Sequence, residues 1–100
     1  MIFKRFPTTV KIGWKLYHIQ IIDAVLNNGP ELYGQIDFNG RLIRLRAANT
    51  AEQNEVTLIH EILHGISEMY DLDLEEHTVE VLCNALYTLL CDNIAHEHLG

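Results

Sequence analysis

Residues 50–93 read as two long helices joined by one short break, and nothing else in the chain constrains the fold as strongly. Thr50-Ala51-Glu52-Gln53 carries the Thr-x-x-Gln pattern of a capped helix start, so a first helix is expected after Thr50, running to about Tyr70. Asp71-Leu72-Asp73 breaks it. Asp73-Leu74-Glu75-Glu76 repeats the capping pattern and opens a second helix that should reach about Asp92 or Asn93. On a helical wheel Val56, Ile59, Ile62, Leu63, Ile66, Met69 and Tyr70 gather in one arc of roughly 140°, which defines a core face. Val79, Leu82, Cys83, Leu86 and Leu90 form the corresponding stripe of the second helix.

The residues before Thr50 read as strands. Val10-Lys11-Ile12-Gly13-Trp14-Lys15-Leu16 alternates apolar and polar, as a half-buried strand does. His18-Ile19-Gln20-Ile21 continues it with reversed parity, and a bulge or twist near Tyr17 would account for the reversal. Residues 23–32, with Asn27-Asn28-Gly29-Pro30, read as loop with room for a helical turn. Two alternating runs, Gln35 to Phe38 and Arg41 to Arg46, flank Asn39-Gly40, the signature of a two-residue type I′ hairpin. The expected architecture is therefore α+β in a single domain over residues 1–100: a small, twisted, mainly antiparallel sheet packed on two long helices.

Composition narrows the function classes. With 48% apolar and 21% charged residues the chain has the makeup of a globular domain. A formal charge of -7 argues against non-specific nucleic-acid binding. No apolar run reaches the ~18 residues of a membrane span, and the first residues lack a signal-peptide pattern. Cys83 and Cys91 fall on one helix about 12 Å apart, too far for a disulfide. Reduced thiols, and hence a cytoplasmic location, are the expectation.

Outside the apolar arc of the first helix lies His60-Glu61-Ile62-Leu63-His64. Histidines at i and i+4 stand one above the other and can converge on a single zinc ion. The metal activates water, and Glu61, offset around the helix, is placed to act as general base. A core role for the histidines is disfavoured, because the helix has a separate apolar stripe; the plain alternative is a solvated polar face. Gly65, directly after the motif in mid-helix, suggests close approach of another backbone.

A catalytic zinc usually takes three protein ligands. With the turn centred near Leu72, His64 and Glu80 are each eight residues from it and hence level in a helical hairpin. Glu80 is the preferred third ligand, with Glu76 and His77 as alternatives; Glu76 also has a capping role open to it. His18, His96 and His98 lack partners at ligand spacing. Tyr70 and Tyr87 are candidate oxyanion groups, against the plainer reading as core or rim aromatics. The Arg41–Arg46 strand, taken as a sheet edge, is a candidate for pairing with an extended substrate, with Arg44 and Arg46 favouring acidic segments. The alternative is that these charges guard an exposed edge.

The stretch from Glu55 to Asn93 resembles the zinc-peptidase domain of the ImmA/IrrE type, found in bacteria and phages. The residues that carry the resemblance are His60-Glu61-Ile62-Leu63-His64 and Glu80-Val81-Leu82-Cys83-Asn84-Ala85-Leu86, with Cys83 where that family usually has alanine. The resemblance implies a minimal zincin-like fold, a Zn2+ cofactor held by His60, His64 and Glu80, and Glu61 as the catalytic residue. It implies a protein or peptide substrate, such as a regulatory protein; charge and hydropathy, as above, speak against nucleic acid and membrane as partners. The competing class is a non-catalytic metal-binding or protein-interaction domain.

Overall fold

The computed structural model describes residues 2–26 and 31–94, so His96 and His98 lie outside the described residues. Among the described residues six strands precede two helices: β1 (Thr9–Ile12), β2 (Lys15–Ile22), β3 (Val25–Leu26), β4 (Glu31–Leu32), β5 (Gly34–Asp37), β6 (Leu42–Arg46), α1 (Ala51–Met69) and α2 (Glu76–Asn93). The α+β architecture holds. The main sheet is mixed, in the order β1-β2-β6-β5, with β2 and β6 parallel and the outer pairs antiparallel. β3 and β4 form a separate antiparallel pair within the segment expected as loop.

The segment read as one strand from Val10 onward is two strands. Gly13, at φ +59°, and Trp14 turn the chain, so that Ile12 pairs with Lys15. The reversed parity after Tyr17 therefore comes from a hairpin upstream and not from a bulge, with Ile12 and Tyr17 both buried. The second hairpin keeps the expected register, Asp37 opposite Leu42, but not the expected turn. Asp37 Oδ1 accepts the Gly40 N–H at 2.9 Å, and Arg41 takes the left-handed conformation at φ +54°. A type I′ turn needs both central residues at positive φ, and Gly40 is not there.

The Arg41–Arg46 segment is not an edge. β6 is bonded to β2 on one side and β5 on the other, which leaves β1 and β5 outermost. Arg44 lies 3.8 Å from Asp37, while Arg46 donates to Asn49 and stacks over the Tyr33 ring.

The helices are layered on the sheet rather than side by side on it. One core cluster joins Ile12, Tyr17, Ile43 and Leu45 of the sheet to Leu58 of α1, with Ile36, Ile62, Ile66 and Met69 packed around it. A second joins Ile59 and Leu63 of α1 to Val79 and Cys83 of α2. α1 is thus the middle layer, with two apolar faces. Leu82 and Leu86, expected in the α2 core stripe, are exposed instead. Gly65 is in close approach, but with side chains: a Cβ there would lie 2.6 Å from Ile12 Cδ1 and 3.2 Å from Ile36 Cδ1. Cys83 and Cys91 are both free thiols. Among the described residues no helix is long and apolar enough to cross a membrane.

Candidate metal centre

α1 starts as expected, with the Thr50 hydroxyl accepting the Gln53 N–H at 3.1 Å. That fixes the phase of the helix, and the phase puts His60 and His64 one above the other. Their Nε2 atoms are 3.2 Å apart.

The second helix starts later than the sequence pattern suggests. Asp73 sits at φ +53°, outside any helix, and α2 begins at Glu76 with no side-chain cap. Between the helices the chain doubles back. The Leu72 N–H donates to Ser67 O at 2.9 Å, and the Leu74 N–H to Ser67 Oγ at 2.9 Å. Non-helical chain advances about 3.3 Å per residue when extended, against 1.5 Å in a helix. A few such residues cover the distance that the equal-rise estimate assigned to eight. Glu76 is therefore already level with the motif histidines when α2 begins.

The result is a three-donor group. Glu76 Oε1 lies 2.7 Å from His60 Nε2, and Glu76 Oε2 lies 2.9 Å from His64 Nε2. Among the described residues, His60, His64 and Glu76 form the one set of side chains whose ligand atoms could hold a metal ion. Glu80, one turn further along α2, is exposed and lines the same cleft as His60, Glu61 and Glu76, but it is not one of the three converging donors. His77 is exposed and lines neither cleft at the group. His18 is exposed on β2. Tyr70 is exposed, and the Tyr87 hydroxyl is spent on Glu55 Oε1 at 2.8 Å.

The donor set fits a cation better than it fits protons. Each Nε2 carries either a hydrogen or a lone pair. If both imidazoles donate to Glu76, their N–H groups also face each other at 3.2 Å. One in-plane hydrogen per Nε2 cannot satisfy all three contacts, whereas one cation accepting three lone pairs can. Zinc donors at about 2.0–2.1 Å in tetrahedral array lie about 3.3 Å from one another; the two histidine nitrogens stand at 3.2 Å, and the Glu76 oxygens lie nearer, at 2.7 and 2.9 Å.

Glu61 lies outside the apolar arc of the helical wheel, yet only 7% of it is exposed, which removes the plain alternative of a solvated face for this residue. Thr57, on the same side of α1, is buried as well. The start of β5 covers this side: a Cβ on Gly34 would lie 2.5 Å from Thr57 Cγ2. Burial, reinforced by the charge of Glu76, pushes the Glu61 carboxyl up to about 7. Two clefts meet at this point. One, of about 360 Å³, is lined by His60, Glu61, Glu76 and Glu80 together with Leu32, Tyr33 and Val56. The other, of about 460 Å³, runs along Gly34, Gln35 and Ile36 past both histidines. The Leu32–Ile36 wall was missed by sequence reasoning. Its one sequence signal is that its last residues open the first strand of the second hairpin, which says nothing about the site.

Fold and site together define a small α+β domain with a metal-capable His–His–Glu group at the junction of two clefts. No family model matches the chain, and comparison with curated proteins and with solved structures finds no significant match.

Proposed function

We propose that this chain is a zinc-dependent metallopeptidase with a minimal zincin-like fold of the ImmA/IrrE type, hydrolysing a peptide bond in a protein or peptide, with a regulatory protein as the candidate substrate. The observation that carries the reading is the convergence of His60, His64 and Glu76 beside the buried carboxyl of Glu61. His60, His64 and Glu76 would hold the metal. Bound zinc supplies Lewis acidity, which brings the pKa of a water near 7 and polarises a carbonyl.

The rest falls to the chain's own residues. Glu61, with a carboxyl near neutrality, takes up a proton and returns it to the leaving amine. β5 lies at the sheet edge along one of the clefts, so its backbone is available to align an extended peptide as an added strand. The free thiols suit a reducing cytoplasm.

The competing reading is a non-catalytic metal-binding domain. A purely structural site normally closes with a fourth protein ligand. The group here has three, with a carboxyl beside it, and this favours the enzyme.

The test has two arms. Elemental analysis should find one zinc per chain in wild type and in Glu61→Gln, and much less in Glu76→Gln. Cleavage of a peptide library should be present in wild type and lost in Glu61→Gln. Equal cleavage by wild type and Glu61→Gln would overturn the enzyme reading, and absence of zinc from the wild type would overturn the metal site.

A further inference from the structure

Glu80 stands apart from the metal-capable group, and its place in the cleft gives it a different use. It lies one turn beyond Glu76, about 6 Å along the α2 axis, and faces the same cleft. The walls there are Leu32, Tyr33 and Val56, whereas the head of the cleft is His60, Glu61 and Glu76. Among the described residues Glu80 has no hydrogen-bond or ion-pair partner. The other two carboxylates that line this cleft differ from it: Glu76 meets the histidines, and Glu61 is buried.

Charge accounting points the same way. A divalent ion at the three donors is offset by Glu76 and, when ionised, by Glu61. Glu80 then remains as the unbalanced charge of the cleft, and no lysine or arginine lines it. Gln53 and Thr57, which also line the slot, are bonded to each other, and a slot with mainly apolar sides and an unpartnered carboxylate at its rim matches a side chain with an aliphatic stem and a cationic head.

Resting on the metallopeptidase reading, we propose that Glu80 is a specificity-determining residue, selecting substrates with lysine or arginine beside the scissile bond. This reverses the preference for acidic segments that Arg44 and Arg46 suggested. Those two arginines are engaged elsewhere, with Asp37 and with Asn49 and Tyr33, whereas Glu80 faces the cleft.

The test uses short peptidyl hydroxamates that differ only in carrying lysine, norleucine or glutamate next to the chelating group. Binding to the zinc-loaded full chain is measured by calorimetry, so no turnover is required. Wild type should bind the lysine compound about tenfold more tightly than norleucine, with glutamate weakest. Glu80→Gln should keep its zinc and lose the discrimination, and Glu80→Lys should invert it. An unchanged order of affinities in Glu80→Gln overturns the assignment. So does loss of zinc in Glu80→Gln, which would make Glu80 a ligand. A wild type that takes up zinc and binds all three compounds alike sinks this inference alone. A wild type that takes up no zinc sinks the metallopeptidase reading and this inference with it.

Discussion

The backbone N–H of Leu74 donates to the Ser67 hydroxyl at 2.9 Å, and this bond helps set where along α1 the second helix begins. Ser67 is on the last turns of α1 and Leu74 lies two residues ahead of Glu76. The bond folds the connecting segment back, so that the first residue of α2 reaches the histidines. Ser67→Ala should cost about 1 kcal/mol of stability by urea denaturation and leave the Leu74 amide unpaired. It should also weaken zinc binding several-fold by loosening Glu76, although Ser67 is not among the converging donors. An unchanged zinc affinity would show that α2 is positioned by its Val79 and Cys83 packing alone.

What was legible in the sequence is what is decided within a few residues. The Thr50 cap, the phase of α1, the pairing of His60 with His64 and the register of Asp37 against Leu42 all follow from local patterns. The level of Glu76 was not legible, because it depends on residues 71–75 being non-helical and folded back on Ser67, while Asp73-Leu74-Glu75-Glu76 imitates a helix start. The parallel pairing of β2 with β6 was hidden for a related reason: it joins segments more than twenty residues apart, and alternation looks the same for parallel and antiparallel neighbours. The burial of Glu61 depends on β5 lying over its side of α1, which the helical wheel of α1 cannot register.

Glu61 should give the metal-free protein a distinctive pH dependence. Burial and the charge of Glu76 raise its carboxyl from 4.5 to about 7 on folding. A raised acid pKa means that the folded state holds its proton more tightly than the unfolded chain. The associated stability is present below about pH 4.5 and is lost as pH rises toward 7, by about 3 kcal/mol at most. His60, His64 and Glu76 stand beside this carboxyl, so the informative quantity is the difference between Glu61→Gln and wild type. In chelator-treated samples that difference should grow in favour of Glu61→Gln between about pH 4.5 and 7 and stay level above it. Parallel stability curves would show that Glu61 ionises in the folded state as it does in the unfolded one.

Gly34 tests how closely the cleft wall is held to α1. A Cβ there would lie 2.5 Å from Thr57 Cγ2 and 3.0 Å from the Arg44 carbonyl oxygen. A backbone oxygen cannot rotate away as a side-chain terminus can. Gly34→Ala should therefore destabilise the fold by about 1–3 kcal/mol, the usual cost of overpacking. The strain would be relieved by moving β5 away from α1, which exposes Glu61. The Glu61 carboxyl in this variant should titrate closer to its ordinary value by NMR. A variant as stable as wild type would mean that β5 sits less tightly than this spacing implies.

Glu55 is the other buried carboxylate of α1, with only 1% exposed, and its task is structural. Oε1 accepts the Ile2 N–H at 3.1 Å and the Tyr87 hydroxyl at 2.8 Å, and Oε2 accepts the Phe3 N–H at 3.0 Å. One side chain thus ties the N-terminal segment and α2 to the middle layer. Removing it strands three donors, and each unsatisfied buried group costs about 1–3 kcal/mol. Glu55→Ala should therefore be strongly destabilising, by about 3 kcal/mol or more, whereas Tyr87→Phe should cost only about 1 kcal/mol because two of the three bonds survive. Hydrogen exchange at the Phe3 amide separates the two effects. It should accelerate in Glu55→Gln, where one carboxylate oxygen becomes an amide donor, and stay near the wild-type rate in Tyr87→Phe. Slow exchange at Phe3 in Glu55→Gln would mean that Phe3 and Phe6, packed against the sheet core, hold the segment without the carboxylate.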